Sequence, residues 1–210
     1  MLTLAILAGG KSQRMGRDKA SLPFQGATLL RYLIDRLNGL ADETILITPG
    51  SDVNLGGNIK IVPDLLPDRG PLGGLYTALY YGSQQAVAVV ACDMPFASAK
   101  LLKYQCEILL SENVDAVVPS SYEGLEPLHS VYRRDVCLPI IKRTIDDGEW
   151  RLISWFSQIN LRVLSSTEIT SIVPTEKAFF NVNTPEDLKK AEKMAKEEKQ
   201  KRTYFGNRKN

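Results

Sequence analysis

The sequence predicts an α/β protein in three layers, α/β/α, with helices on both faces of a mostly parallel sheet. Uninterrupted apolar runs recur along the chain, and the longest is AVAVVA at residues 86–91. Segments with helical spacing lie between them, such as LLRYLIDRL at residues 29–37. Strands that are buried on both faces lose the alternation of polar and apolar residues, and helical crossovers join parallel strands.

The elements follow one another in a regular order in the first half of the chain. Strands are predicted at 3–7, 44–48, 59–63 and 86–91, with helices at 29–37, 72–82 and 100–110. The second half is less regular, with strands at 115–119 and 161–165, an edge or crossing strand at 127–132, and helices near 136–146 and 151–158. A last helix starts at Pro185 after the cap residue Thr184. No linker divides the chain, so residues 1–210 are expected to form one domain.

Composition narrows the functional class. The 210 residues are 44% hydrophobic and 24% charged, which is typical of a globular protein. No apolar run approaches the ~20 residues of a membrane helix. Cys92, Cys106 and Cys137 form neither a paired framework nor a metal pattern, so a reduced, cytoplasmic protein without membrane contact is expected. The tail at 189–210 holds nine basic and three acidic residues, and their mixing favours a solvated helix end over a nucleic-acid surface.

The stretch LAGGKSQRMGRDKA, residues 7–20, predicts a phosphate site. Its glycine spacing fits neither a P-loop nor the dinucleotide fingerprint. Glycines such as Gly9 and Gly10 nevertheless let backbone N–H groups approach phosphate oxygens, and Arg14 and Lys19 add cationic donors. A triphosphate fits this loop better than a neutral ligand does. The alternative is a solvated loop with scattered charge.

Two carboxylates follow strands whose carboxyl ends should meet the same edge of the sheet. Asp64 follows the third strand and Asp93 follows the fourth. Asp93 suits Mg²⁺, which prefers one or two carboxylates plus substrate phosphates, although it could instead cap the following helix. The only histidine, His129, has no metal-ligand spacing around it and is predicted to be structural. No protein nucleophile is apparent, and nucleotidyl transfer is a reaction that needs none.

The motifs together resemble those of a known family. LAGGKSQRMGRDKA is similar to the signature of Rossmann-like nucleotidyltransferases, and VPDLLPDRGPLGGL, VVACDMPF and FNVNTPEDL extend the match through residues 2–188. The combination resembles the molybdenum cofactor guanylyltransferase family most closely. The resemblance implies the three-layer nucleotidyltransferase fold, with a nucleotide-binding half at 1–100, an acceptor-binding half at 101–188 and a basic C-terminal helix or tail at 189–210.

The resemblance also implies roles for individual residues. The GTP site would be lined by Leu7, Ala8, Gly9, Gly10 and Asp64. Catalysis would rest on Arg14 and Lys19, which hold the phosphates, and on Asp93, which also binds Mg²⁺. The acceptor would be bound in the second half, with Asn181 and Asn183, although Asn183 could instead belong to the turn before the last helix.

The activity implied is transfer of GMP from GTP to the terminal phosphate of molybdopterin, with release of pyrophosphate. LAGG, where related cytidylyltransferases read LAAG, favours guanine. Thr48 stands where relatives often carry Asn, and PLGG at 71–74 replaces PLAG. A cytidylyltransferase, a sugar-phosphate nucleotidyltransferase and a non-catalytic nucleotide or pterin carrier stay open. Expected partners are GTP and molybdopterin, with other cofactor-biosynthesis proteins or apo-molybdoenzymes as further candidates.

Overall fold

A computed structural model describes residues 1–9, 21–49, 58–67 and 69–206. The strands are β1 Leu2–Leu7, β2 Pro23–Phe24, β3 Ala27–Thr28, β4 Glu43–Ile47, β5 Ile59–Val62, β6 Ala86–Ala91, β7 Ala116–Ser121, β8 Gly124–Leu125, β9 His129–Arg133 and β10 Leu161–Leu164. The helices are α1 Leu29–Leu37, α2 Gly70–Tyr81, α3 Ala99–Ser111, α4 Arg134–Asp146, α5 Ser166–Ile172, α6 Thr175–Ala178 and α7 Pro185–Gly206. Phe156–Gln158 form a short 3-10 helix.

Eight of the strands form one sheet in the order β10-β7-β9-β6-β1-β4-β5, with β8 paired to β7. All members run parallel except β9, which is antiparallel to both of its neighbours, and β8. Every residue of β1 and of β6 is buried, as expected for central strands covered on both faces. The predicted three-layer, mostly parallel architecture is confirmed.

Alternate residues of the central strands face two separate cores. In β1, Leu4 and Ile6 pack with α1, α3 and α5, whereas Ala5 and Leu7 pack with α2 and α4. Helices therefore cover both faces of the sheet. A third cluster joins the β2–β3 hairpin to α7 through residues such as Phe24 and Ala191. This hairpin follows the predicted phosphate loop in the sequence.

Two sequence predictions in the second half are wrong. The strand containing His129 is neither an edge nor a crossing strand, because β9 lies inside the sheet between β6 and β7. The segment 151–158 is not an α-helix. It folds as turns whose N–H groups bond three residues back, as Ser154 does to Arg151, and it buries Trp155 completely.

Candidate active site

The end of β1 is held on both sides by backbone hydrogen bonds. The Ala8 N–H donates to the Ile47 carbonyl over 2.8 Å, and the Cys92 N–H donates to the Leu7 carbonyl over 3.0 Å. The chain then emerges at Gly9, which is exposed. A Cβ at Gly9 would approach only Pro49 Cδ, at 3.8 Å, which is an ordinary contact. Packing in the described residues therefore leaves room for a ligand against this backbone.

Three of the predicted phosphate-loop residues, Gly10, Arg14 and Lys19, lie outside the described residues. Their roles stay predictions.

Asp64 is built into the turn that leads from β5 to α2. Its Oδ1 accepts hydrogen bonds from the Thr77 hydroxyl at 2.8 Å and from the Leu66 N–H at 3.0 Å. Thr77 is fully buried, and its hydroxyl oxygen also accepts from the Leu65 N–H at 3.1 Å. Since Oδ1 anchors the turn, a ligand contact by Asp64 would fall to Oδ2.

The two glycines in the PLGG stretch meet different neighbours. A Cβ at Gly73 would sit 2.6 Å from the Leu66 carbonyl oxygen, so a side chain there forces the turn to move. A Cβ at Gly74 would sit 3.2 Å from Leu7 Cδ1. The turn after Asp64 thus packs so closely that this chain carries Gly73 where the PLAG pattern has alanine, and α2 begins directly beside the end of β1.

Asp93 lies at the end of β6, two residues beyond the last strand position. Its carbonyl accepts a hydrogen bond from the Val182 N–H at 2.8 Å, and its Oδ1 is buried. The alternative prediction, that Asp93 caps the next helix, is wrong. Ser98 is the N-cap of α3, because its hydroxyl accepts the Leu101 N–H over 3.2 Å.

The Val182 bond brings the segment before α7 to the same edge as Asp93. There Thr184 and Asp187 cap α7 reciprocally: the Asp187 N–H donates to the Thr184 hydroxyl, and Asp187 Oδ2 accepts from Thr184 and from the Asn183 N–H. Partial burial raises the pKa of Asp187, but the bonds from Thr184 and Asn183 outweigh it and lower the pKa. The Asn183 backbone thus joins the cap, as the alternative prediction has it, while its side chain is exposed.

His129 packs beneath the segment before α7 and the start of α3. The prediction that it is a structural residue is confirmed. The ring is fully buried, and Nε2 accepts the Ser98 N–H at 3.0 Å. The Phe179 ring packs edge-on against it, with centroids 5.3 Å apart. Burial lowers the pKa of His129 to about 4, so the ring is neutral. His129 therefore links the start of α3 to the segment that reaches Asp93.

Glu126 also lies at the carboxyl edge of the sheet, although the sequence does not single it out. It precedes β9 and accepts a 2.7 Å hydrogen bond from the Ser121 hydroxyl at the end of β7. Burial, together with the nearby charge of Glu123, raises its pKa despite that bond. The pairing of β7 with β8 and the reversed direction of β9 place it at this edge, and both depend on tertiary structure.

The arrangement brings several predicted residues to one edge of the sheet. Leu7, Ala8 and Gly9 end β1, Asp93 follows the adjacent strand, and Asn183 lies beside Asp93 through Val182. Asp64 follows the edge strand β5 and reaches the group through α2. Among the described residues no cluster of three or more His, Cys, Asp or Glu side chains could hold a metal alone, and no helix there is long and apolar enough to span a membrane.

An open, mostly parallel sheet with polar groups converging at its carboxyl edge is the Rossmann-like arrangement that binds ligands at that edge. The model of the MobA-like NTP transferase domain matches residues 4–161, and the chain belongs to this family.

Curated relatives match nearly the whole chain. A probable molybdenum cofactor guanylyltransferase of Pelotomaculum thermopropionicum is 34% identical over 203 residues, which cover 97% of this chain and 98% of the relative. A molybdenum cofactor guanylyltransferase of Desulfosudis oleivorans is 31% identical over 93% of this chain and 96% of its own length.

Solved structures share the fold. Molybdopterin-guanine dinucleotide biosynthesis protein A of Archaeoglobus fulgidus superposes with a TM-score of 0.80 at 23% identity, covering 93% of this chain and 99% of that one. A 4-diphosphocytidyl-2C-methyl-D-erythritol synthase of Anaerococcus prevotii gives 0.71 at 15% identity, with 93% and 96% covered.

Proposed function

We propose that this chain transfers GMP from GTP to the terminal phosphate of molybdopterin, giving molybdopterin guanine dinucleotide and pyrophosphate. The relatives that match it over nearly its whole length carry the guanylyltransferase name. The structural observation that supports the proposal best is the position of Asp93. It stands between the end of β1, where the nucleotide is expected, and the 179–183 segment, where the acceptor is expected.

The reaction is one in-line displacement. An oxygen of the acceptor phosphate attacks the α-phosphorus of GTP, the new P–O bond forms, and the bond from the α-phosphorus to the bridging oxygen breaks. Pyrophosphate leaves with the electron pair. The chain contributes mainly position and charge, since no covalent intermediate is needed.

The backbone at Leu7, Ala8, Gly9 and Gly10 lies along the nucleotide in this proposal. The described part of that backbone is fixed by its neighbouring strands and is open at Gly9, so a nucleotide can approach there without rearrangement, while the Ala8 N–H stays bonded to the Ile47 carbonyl. Asp64 Oδ2 would contact the nucleotide.

The remaining roles rest on charged and polar side chains. Arg14 and Lys19 would hold the phosphates and steady the departing pyrophosphate. Asn183 and its neighbour Asn181 would contact the acceptor.

Asp93 is suited to hold Mg²⁺. It offers hard oxygen ligands at a fixed point, because the Val182 N–H pins its backbone and one carboxylate oxygen is buried. Mg²⁺ commonly takes one or two carboxylates and completes its shell with water and substrate phosphates. When bound, the ion would offset negative charge that develops on the phosphates.

Substitution of Asp93 tests the metal assignment. Asp93→Asn keeps the shape but removes the charge, and we expect turnover with GTP, molybdopterin and Mg²⁺ to fall ~10²-fold or more, which corresponds to ~2.7 kcal/mol of barrier. Asp35→Asn is the matched control, because Asp35 is exposed on α1 and pairs only with a surface arginine in the described structure. Turnover of the Asp93 variant near that of the control would refute the assignment.

A further inference from the structure

Arg69 and Trp150 form a stacked pair at the side of the candidate site. The guanidinium carbon of Arg69 lies over the Trp150 ring, 4.0 Å from its centroid. At that distance the cation is attracted to the aromatic face, which favours this position of the arginine side chain. The two residues are 81 positions apart, and nothing in the sequence pairs them.

The C-terminal end of α4 determines where Trp150 lies. At the end of α4 the Gly148 N–H donates to the Ile145 carbonyl at 3.0 Å and the Glu149 N–H donates to the Thr144 carbonyl at 3.1 Å. Gly148 has a φ of +80°. This is a Schellman motif with glycine in the left-handed position, and it fixes the direction in which the chain leaves α4. Trp150 follows at once.

A tight turn places Arg69. Its N–H donates to the Leu66 carbonyl at 3.0 Å, and the next residue, Gly70, has a φ of +61°. The same carbonyl lies close against Gly73 in the first turn of α2. Hydrogen bonds therefore fix the backbone at Arg69 and the residues just before Trp150.

The pair lies at the ligand-binding edge of the sheet. The parallel strand β5 leads into α2, so α2 starts at the carboxyl edge, with Gly74 against Leu7 at the end of β1. The antiparallel strand β9 leads into α4 at the opposite edge, so α4 packs against α2 and ends beside its start. Arg69 comes from the half expected to bind the nucleotide, and Trp150 comes from the half expected to bind the acceptor.

The charge of Arg69 is available to a ligand. Within the described residues its guanidinium makes no ion pair or hydrogen bond, and the side chain is exposed. The contact with the Trp150 ring uses no N–H donor of the guanidinium in a conventional hydrogen bond, so these donors can bind a ligand. These donors suit a phosphate group, which guanidinium binds through two parallel hydrogen bonds.

We propose that Arg69, held over the Trp150 ring, binds the phosphate group of the acceptor. This inference rests on the proposed function. The ligand of Arg69 is taken to be the acceptor and not GTP, because the triphosphate already has the predicted cations of the 10–20 loop and Trp150 belongs to the acceptor half.

Steady-state kinetics separate this role from a structural one. We expect Arg69→Gln to raise the KM for molybdopterin by about tenfold, as loss of a charge-assisted hydrogen-bond pair does, with the KM for GTP and kcat nearly unchanged. Trp150→Leu should raise the same KM by a smaller factor, because the arginine remains but is no longer held. Arg31→Gln, which removes an exposed arginine on α1, is the control for lost charge. A molybdopterin KM equal to that of the control, or a rise confined to GTP, would overturn the proposal.

A binding experiment makes the test independent of turnover. The chain has two tryptophans, and Trp155 is fully buried, so a ligand at Arg69 changes mainly the emission of Trp150. A stable pterin phosphomonoester serves as the probe. We expect it to change the emission of the wild type and of the Arg31→Gln control saturably with the same midpoint, and to need about ten times more probe for the same change in Arg69→Gln.

Equal responses of all three proteins would refute the role of Arg69. A wild-type chain that shows the Arg69-dependent response but releases no pyrophosphate from any nucleotide would instead refute the proposed function and leave the phosphate site standing.

Discussion

A methyl group at Gly73 is a sharp test of how the turn after Asp64 is packed. In Gly73→Ala the new Cβ would stand 2.6 Å from the Leu66 carbonyl oxygen and 3.2 Å from the Arg69 Cβ. A comfortable carbon–oxygen contact is about 3.3 Å, so the carbonyl has to move by ~0.7 Å. That carbonyl also accepts the Arg69 N–H, so the movement strains the turn itself.

The expected loss of stability follows from three effects. Overpacking against backbone costs about 1–3 kcal/mol, and weakening the turn hydrogen bond costs about 1 kcal/mol. Alanine regains about 1 kcal/mol over glycine inside a helix. The net is a fall of about 2 kcal/mol in the free energy of unfolding, or about 4–8 °C in Tm for a chain of this size. Urea unfolding followed by circular dichroism measures it.

Gly74→Ala is the matched control, one position further along α2. Its Cβ would meet only the end of the flexible Leu7 side chain, at 3.2 Å, which can shift at little cost. The helix-propensity gain should then roughly cancel the strain, giving a change near zero. If Gly73→Ala were as stable as the wild type, or if both variants lost stability equally, the packing of the Leu66 carbonyl against α2 would be wrong.

Two further predictions concern the supports of the site. His129 has a pKa of about 4 in the folded chain, because it is buried, and of about 6.5 in the unfolded chain. The unfolded chain therefore binds a proton more readily between these values, and the free energy of unfolding falls by about 3 kcal/mol as the pH drops from above 6.5 to 4. His129→Gln should flatten the dependence of unfolding free energy on pH in this window, and unchanged slopes would contradict the assignment. Thr184→Ala should lower the free energy of unfolding by about 1 kcal/mol and return the pKa of Asp187 toward its usual range, because the hydroxyl that caps α7 is lost. Thr184→Ser keeps that hydroxyl and should keep the stability. Equal losses of stability in both variants would exclude the capping role.

Much of the fold could be predicted because local patterns and tertiary structure agree. The helical spacing of residues 29–37 gives α1 within its exact bounds, and the apolar run at 86–91 gives β6. The Thr184 cap needs only a hydroxyl before a proline-initiated helix, so it too is local. In such elements the local pattern and the tertiary packing favour the same structure.

The errors arise where tertiary contacts decide. His129 and Ser130 are polar, yet both are buried in β9, where the histidine ring accepts the Ser98 N–H and the Glu126 carbonyl accepts the serine hydroxyl. The segment 151–158 has apolar residues at helical spacing. Its backbone instead turns so that Trp155 enters the core, with its indole N–H bonded to the Leu152 carbonyl.

The candidate site divides in the same way. Asp93 could be placed at the sheet edge from sequence, because an acid directly after a buried parallel strand has nowhere else to lie. Its contact with Val182 joins residues 89 positions apart, and the Arg69–Trp150 pair spans a similar separation. No local pattern encodes such pairings, since they depend on how β9 reverses and how α4 returns to the edge.

The most direct test of the proposed activity is pyrophosphate release from GTP, CTP and UTP with Mg²⁺, measured with and without molybdopterin. Release that requires both GTP and molybdopterin is the predicted result. Release with CTP in place of GTP would keep the nucleotidyl-transfer chemistry and contradict the choice of base. Measurable GTP binding without release from any nucleotide would contradict the central claim and identify the chain as a carrier.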